Sequence, residues 1–243
     1  MATSFGRLQE QSQRLTKLLM DFSGFDESLV MNILIYAKCL PRPEAPNEID
    51  ELVFTSQMLK VFNFTSPVMV SLMFGAVKNQ KLGYVSIEEY CKLICIFLTE
   101  NLDQKTNFVF KVYDLNQDGE INFQELYYFL RPCVILTESE DMEAEEATRE
   151  LIEIVLKVTD IDESGSIDLQ EFKRLIKNNV LYLQLLGPCL PIPSSVQRFR
   201  ERLEGKGTHE IRTMFKHERQ ESLQELPSIN RVKQYYTVTL DLP

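Results

Sequence analysis

Apolar residues recur at intervals of three and four through the first 185 positions, the spacing that puts them on one face of an α-helix. Leu8, Leu15, Leu18, Leu19 and Phe22 fit one face of a first helix. Leu29, Val30, Ile33, Leu34 and Ala37 fit a second, with Asp26 placed to cap its start. Pro41, Pro43 and Pro46 break the pattern. Helical spacing resumes over 52–62 and 67–77. Farther on, Val109, Phe110 and Tyr113 share a face, as do Leu126, Phe129 and Leu130, then Ile152, Val155 and Leu156, and finally Phe172, Leu175 and Ile176. The character changes after Leu186. Prolines punctuate 187–193, Ser194 and Gln197 offer a capping box for a short charged helix through Glu204, and Gly205 and Gly207 interrupt it. Ile211, Met214 and Phe215 form a small apolar stripe, and Val232 to Leu240 is β-prone but isolated.

The polar stretches between the later helices are more regular than ordinary loops. Asp114-Leu-Asn-Gln-Asp-Gly-Glu-Ile-Asn-Phe-Gln-Glu125 and Asp160-Ile-Asp-Glu-Ser-Gly-Ser-Ile-Asp-Leu-Gln-Glu171 share one plan. Oxygens fall at positions 1, 3, 5, 7, 9 and 12, as a twelve-residue loop needs to wrap a hard cation that takes six to eight oxygen ligands. In the first loop these are Asp114, Asn116, Asp118, the carbonyl of Glu120, Asn122 and Glu125. In the second they are Asp160, Asp162, Ser164, the carbonyl of Ser166, Asp168 and Glu171. Gly119 and Gly165 stand at position 6, where the chain turns with φ > 0. Two complete matches with apolar helical flanks predict two EF-hand calcium sites.

Aligning on Gly83 exposes a third segment, Lys78 to Glu89, that keeps Gly83, Val85 and Glu89 but has Lys78, Gln80 and Leu82 at the first three ligand positions. A cation where the first carboxylate belongs opposes a dication, so this is a structural hand that binds no calcium. The loop starts lie 36 and 46 residues apart. The longer interval holds an acidic run, 137–146, read as a solvated linker. Hands pair through a short β contact, so three imply a fourth, and the region from Tyr36 to Phe54 is its candidate. The expected fold is all-α and two-lobed: an N-terminal lobe of degenerate hands over 1–100, a C-terminal lobe with both intact loops over 101–186, and an extended tail over 187–243 that buries too little to fold alone and lies against the lobes or against a partner.

Composition narrows the chemistry. A formal charge of −10 argues against nucleic acid as a partner. Cys39, Cys91, Cys95, Cys133 and Cys189 show no disulfide or zinc spacing and fit reduced, mostly buried thiols. No apolar run is long enough to span a membrane, and a Met-Ala start lacks the N-myristoylation signal. His209 and His217 have no third ligand nearby. No phosphate loop, activated nucleophile or carboxylate pair outside the calcium loops points to an enzyme.

The long interval between the intact hands, the Tyr113-Asp-Leu-Asn start of the first loop, and above all Leu181-Tyr-Leu-Gln-Leu-Leu-Gly-Pro-Cys-Leu-Pro-Ile-Pro193 resemble the calaxin family. Its members are EF-hand proteins of motile cilia and sperm flagella associated with outer dynein arms. The resemblance spans roughly residues 5–195 and departs in two places: the family keeps acidic ligands in the hand matching 78–89, and this chain has a longer tail. It implies a calcium-binding adaptor in the cytoplasm and axoneme, contacting dynein, its docking complex or tubulin-associated proteins. The alternatives are a permanently assembled microtubule-associated protein with structural calcium, and a soluble buffer.

Overall fold

Helix starts in this chain coincide with side chains that can accept the unpaired N–H groups of a first turn. Asp26 accepts from Leu29 N at 2.8 Å and Asp50 from Val53 N at 3.0 Å. Ser66 accepts from Met69 N at 3.2 Å, ahead of a proline at the first helical position. Ser86 and Glu89 close a reciprocal capping box. The computed structural model describes residues 4–79, 82–134, 141–204, 207, 209–213 and 215, with side chains left aside at 4–9 and 141–143. The side chain of Leu8, Gln80, residues 137–140 of the acidic run, Met214, His217 and the Val232–Leu240 stretch lie outside it.

Among the described residues the order is α1 (Ser4–Ser23), α2 (Glu27–Lys38), β1 (Glu48–Ile49), α3 (Glu51–Val61), α4 (Pro67–Val77), β2 (Val85–Ser86), α5 (Ile87–Leu98), α6 (Leu102–Tyr113), β3 (Glu120–Ile121), α7 (Phe123–Leu130), α8 (Asp141–Thr159), β4 (Ile167–Asp168), α9 (Leu169–Asn178) and α10 (Pro193–Leu203). This is an all-α fold of paired hands, and none of the described helices is long and apolar enough to cross a membrane. The chain forms two compact units, one of residues 1–100 and 191–243, the other of residues 101–190.

In the first unit β1 pairs antiparallel with β2, Ile49 opposite Val85. The β1 segment therefore belongs to a hand, α2–loop–α3, despite its prolines. Helices pack chiefly across hands, α2 on α5 and α3 on α4, with α1 against α2 and α5. The centre is aromatic. Phe54, Phe62, Phe97, Tyr36 and Tyr90 are fully buried. The Tyr36 hydroxyl donates to Gln57 Oε1 at 3.0 Å, and Tyr90 donates to it at 3.0 Å. Burial pushes the Tyr90 phenol well above its usual range.

The described part of the tail closes this core rather than extending away from it. Phe199 of α10 lies 5.0 Å from the Tyr36 ring and 4.9 Å from Phe62, and Phe215 lies 4.4 Å from Tyr36. Asn32 Nδ2 donates to the Leu203 carbonyl at 2.9 Å, satisfying the end of α10 from across the unit. Phe199, Leu203, Ile211 and Phe215 are buried. The Ser194–Gln197 capping box is not formed. Pro193, with φ already fixed near the helical value, starts the helix two residues earlier and Ile192 takes the cap position without a side-chain bond.

The second unit repeats the plan. β3 pairs with β4, Ile121 opposite Ile167, and α6 packs on α9 while α7 packs on α8. Val109, Phe110, Tyr113, Leu126, Phe129, Leu130, Ile152, Phe172, Leu175 and Ile176 are core, as their periodicity requires. Val155 and Leu156 are only half-buried, because they flank rather than centre the buried side of α8. After α9, Asn179 caps a single 3₁₀ turn (Val180–Gln184) that rests on α9 and α6. Leu183, Leu186, Cys189 and Leu190 are buried, and the Tyr113 hydroxyl donates to the Gly187 carbonyl at 2.7 Å. Burial pushes the Cys189 thiol up to about 12. The Leu181–Pro193 stretch thus divides, its first ten residues finishing the second unit and its last three opening the return to the first. All five cysteines are free, and Cys133 alone among them is exposed.

Candidate metal centre

A loop that wraps a cation must first hold its carboxylates in place without one, and here backbone N–H groups do so. Asp114, at the C-terminal end of α6, accepts from Asp118 N at 3.2 Å through Oδ1 and from Gly119 N at 3.0 Å through Oδ2. Asp160, at the end of α8, accepts from Ser164 N at 3.0 Å and Gly165 N at 2.8 Å in the same way. The glycine bond needs the turn that a positive φ permits: 94° at Gly119 and 87° at Gly165. A Cβ at either would meet open space but carry backbone strain. Position 4 shares this geometry, with Gln117 at φ 60° and Glu163 at φ 58°.

Each loop is closed from its far end by the glutamate at position 12, the third residue of the exiting helix. Glu125 Oε1 accepts from Leu115 N at 2.7 Å and Asn116 N at 3.1 Å, while Oε2 accepts from Asn122 N at 2.9 Å. Glu171 Oε1 accepts from Ile161 N at 2.7 Å, and Oε2 from Asp168 N at 3.0 Å. Asn122 and Asp168 return the bond to the glutamate N–H groups, completing two capping boxes. One glutamate therefore ties the loop's start to its helix. Burial pushes the Glu125 carboxyl above its ordinary value; the three backbone donors pull it down, and the nearby Asp114 charge adds to the rise. A dication entering the loop reverses that balance by favouring the ionised form.

The two loops differ in detail. In the second, oxygens of Asp160, Asp162 and Glu171 lie within 4.8 Å of one another, the set of carboxylates that converges in this way among the described residues. Ser164 and Ser166 face each other there, their hydroxyl oxygens 3.3 Å apart. In the first, position 3 is an amide, and Asn116 Nδ2 draws Asp118 Oδ2 to 2.7 Å. The side chain of Glu120 has a role its backbone position did not signal. Its Oε2 accepts from the Ser166 hydroxyl at 2.7 Å, bonding one loop to the other beside the β3–β4 pair. The donors are all oxygen, which suits calcium or magnesium and not a thiolate metal.

The two hands of the first unit are organised by other means. In the 78–89 segment, Gly83 (φ 74°) donates to the Asn79 carbonyl at 2.8 Å, and Asn79 N donates to the Tyr84 carbonyl at 3.0 Å. Lys78 caps α4, with its ammonium 6.0 Å from the Phe74 ring. In the 39–50 segment, Ala45 N and Glu48 N close successive turns onto Arg42 and Ala45 carbonyls. The Arg42 guanidinium pairs with Asp50 at 2.8 Å, while the other Asp50 oxygen caps α3.

A family model of an EF-hand domain pair matches residues 101–177, which contain both intact loops. Calaxin from Xenopus laevis is 29% identical to the chain over 196 residues, covering 79% of this chain and 92% of the relative. Calaxin from Homo sapiens is 26% identical over 194 residues, with 79% and 92% covered. Guanylyl cyclase-activating protein 1 from Gallus gallus is 28% identical over 141 residues, covering 58% of this chain and 68% of the relative. The similarity to calaxin therefore runs well beyond the matched pair of hands. The chain is a calcium-binding EF-hand protein.

Proposed function

We propose that this chain, a calaxin-like EF-hand protein, is a calcium-responsive adaptor of the ciliary or flagellar axoneme, binding two calcium ions and contacting dynein, its docking complex or tubulin-associated proteins. The observation that carries the reading is the asymmetry between the units. Both loops of residues 101–190 carry oxygen side chains at the ligand positions, those of the second converging within 4.8 Å, whereas those of the first unit are closed by backbone bonds and by Arg42. The similarity to calaxin supports the ciliary setting. The first unit, sealed by α10 and Phe215, is the part for holding; the second is the part for responding. The role is binding rather than catalysis.

Asp114, Asn116, Asp118, the Glu120 carbonyl, Asn122 and Glu125 would hold one ion, and Asp160, Asp162, Ser164, the Ser166 carbonyl, Asp168 and Glu171 the other. Calcium supplies two positive charges to carboxylates that the fold has partly desolvated. Glu125 and Glu171 stand in the first turns of α7 and α9, so any change in their position is passed to those helices. The β3–β4 pair and the Ser166–Glu120 bond link the loops, so one ion biases the other.

A second reading is a permanently assembled microtubule-associated protein with structural calcium, favoured by the self-closed loops of the first unit. Axoneme co-sedimentation across a calcium titration separates the two. The adaptor reading expects affinity that changes with calcium in the wild type and no longer changes in Glu125→Gln/Glu171→Gln. Binding that persists unaltered through chelation rejects it.

A further inference from the structure

We propose that the outer face of α8 docks a basic amphipathic helix of a partner protein. Ile154 is 61% exposed, Val158 63% and, one turn on in the loop, Ile161 54%. The i, i+4 spacing of Ile154 and Val158 puts them in one stripe on α8, and Ile161 follows beyond the helix end. The buried side of the same helix runs through Ala144, Thr148, Ile152 and Thr159, and the stripe lies along its edge. Among the described residues nothing covers the stripe. β-Branched residues are weaker helix formers than the Ala, Glu and Lys found elsewhere on α8, and Ile154 and Val158 leave more than half of their surface in water. A single exposed aliphatic residue is ordinary, but an aligned pair on α8 continued by Ile161, with carboxylates beside it, marks a contact.

The charges around the stripe identify the occupant. Glu146, Glu150 and Glu153 are exposed on its N-terminal side, and Glu163, which is not a calcium ligand, is exposed past Ile161. Lys157 is the exposed cation along this stretch, since Arg149, on the other side of Glu150, is engaged by Glu145 at 2.8 Å. An apolar stripe with a carboxylate rim complements a helix that carries apolar anchors on one side and Lys or Arg beside them. A second copy of this chain would set one acidic rim against another, and an anionic membrane or nucleic acid would meet the same repulsion. The face is held rigid at its C-terminal end, because Ile161 N donates to Glu171 at 2.7 Å. The inference stands on α8 alone and does not depend on the axonemal reading.

The test uses the full chain with calcium and a fluorescent peptide of about 18 residues, five helical turns. The peptide is built of Leu and Lys with all Leu on one face; a Leu/Glu peptide of the same pattern is the control. Fluorescence anisotropy should show the Leu/Lys peptide binding and the Leu/Glu peptide not binding. Ile154→Ser/Val158→Ser and, separately, Glu150→Lys/Glu153→Lys should each weaken binding by roughly tenfold or more, given the apolar area and charges involved. All four positions are exposed, so both variants should keep the wild-type circular dichroism melt. Three results would overturn the proposal. The Leu/Lys peptide fails to bind; either double variant leaves its affinity unchanged, placing it elsewhere; or sedimentation shows a dimer that Ile154→Ser/Val158→Ser abolishes, making a second copy the occupant.

Discussion

Gly83 and Gly165 occupy the same position of the same motif, and their N–H groups end in different places. Gly165 donates to the carboxylate of Asp160 at 2.8 Å, whereas Gly83 donates to the backbone carbonyl of Asn79 at 2.8 Å. Both turns keep a positive φ, and both lead into a β pair and a capped helix with a glutamate at position 12. The difference separates scaffold from site. A hand keeps its shape once its turn has an acceptor, whether backbone or side chain. It holds an ion only when that acceptor is a carboxylate with further oxygens around it. The first unit has taken the backbone route, and Arg42 pairs with Asp50 at the end of its 39–50 segment.

That contrast can be broken most severely at position 12. Glu125→Gln with Glu171→Gln removes the bidentate clamp from both loops and should lower calcium affinity by ~100-fold or more, since sensor-range affinity depends on ligand charge; titration calorimetry reads this directly. The reverse break lies in the first unit. Phe199→Ala should destabilise it by about 3 kcal/mol, the usual range for deleting a buried aromatic ring. Urea unfolding measures the loss, and calcium affinity should stay at the wild-type value. Glycine substitutions sharpen the comparison further. Gly165→Ala and Gly83→Ala should each cost about 1 kcal/mol from strain at positive φ, but only Gly165→Ala should also weaken calcium binding, several-fold. Ser166→Ala removes the bond to Glu120 and should cost roughly 1 kcal/mol, seen as looser coupling between two successive binding steps. Lys78→Asp should have the smallest effect, adding no calcium, because Asn79 still closes the turn.

Local chemistry makes the calcium loops legible. Gly119, Gly165 and Gly83 at their fixed offsets, the Asp26 cap and the failing ligands at 78 and 82 are each settled within a dozen residues, and each stands in the structure where its spacing puts it. The hidden hand at 39–50 is inferable only from the rule that hands pair, since its prolines erase the loop pattern. The destination of the tail is not legible. Its charged helix shows in the sequence, but nothing there signals that Phe199 and Phe215 close on Tyr36 or that Asn32 holds the Leu203 carbonyl, because such long-range contacts leave no periodic trace. The capping reading at Ser194 fails because a proline one residue earlier supplies a stronger start. The Glu120–Ser166 bond escapes because position 7 of a calcium loop is read for its carbonyl, not its side chain.

Native mass spectrometry of the full chain under increasing calcium tests the central claim most directly. The account predicts two ions per chain at saturation, and none retained in Glu125→Gln/Glu171→Gln at the concentration that saturates the wild type. A third ion in the wild type would contradict it by placing calcium in the unit whose loops are closed by their own bonds, and an ion held by that double variant would contradict it by removing Glu125 and Glu171 as the clamps.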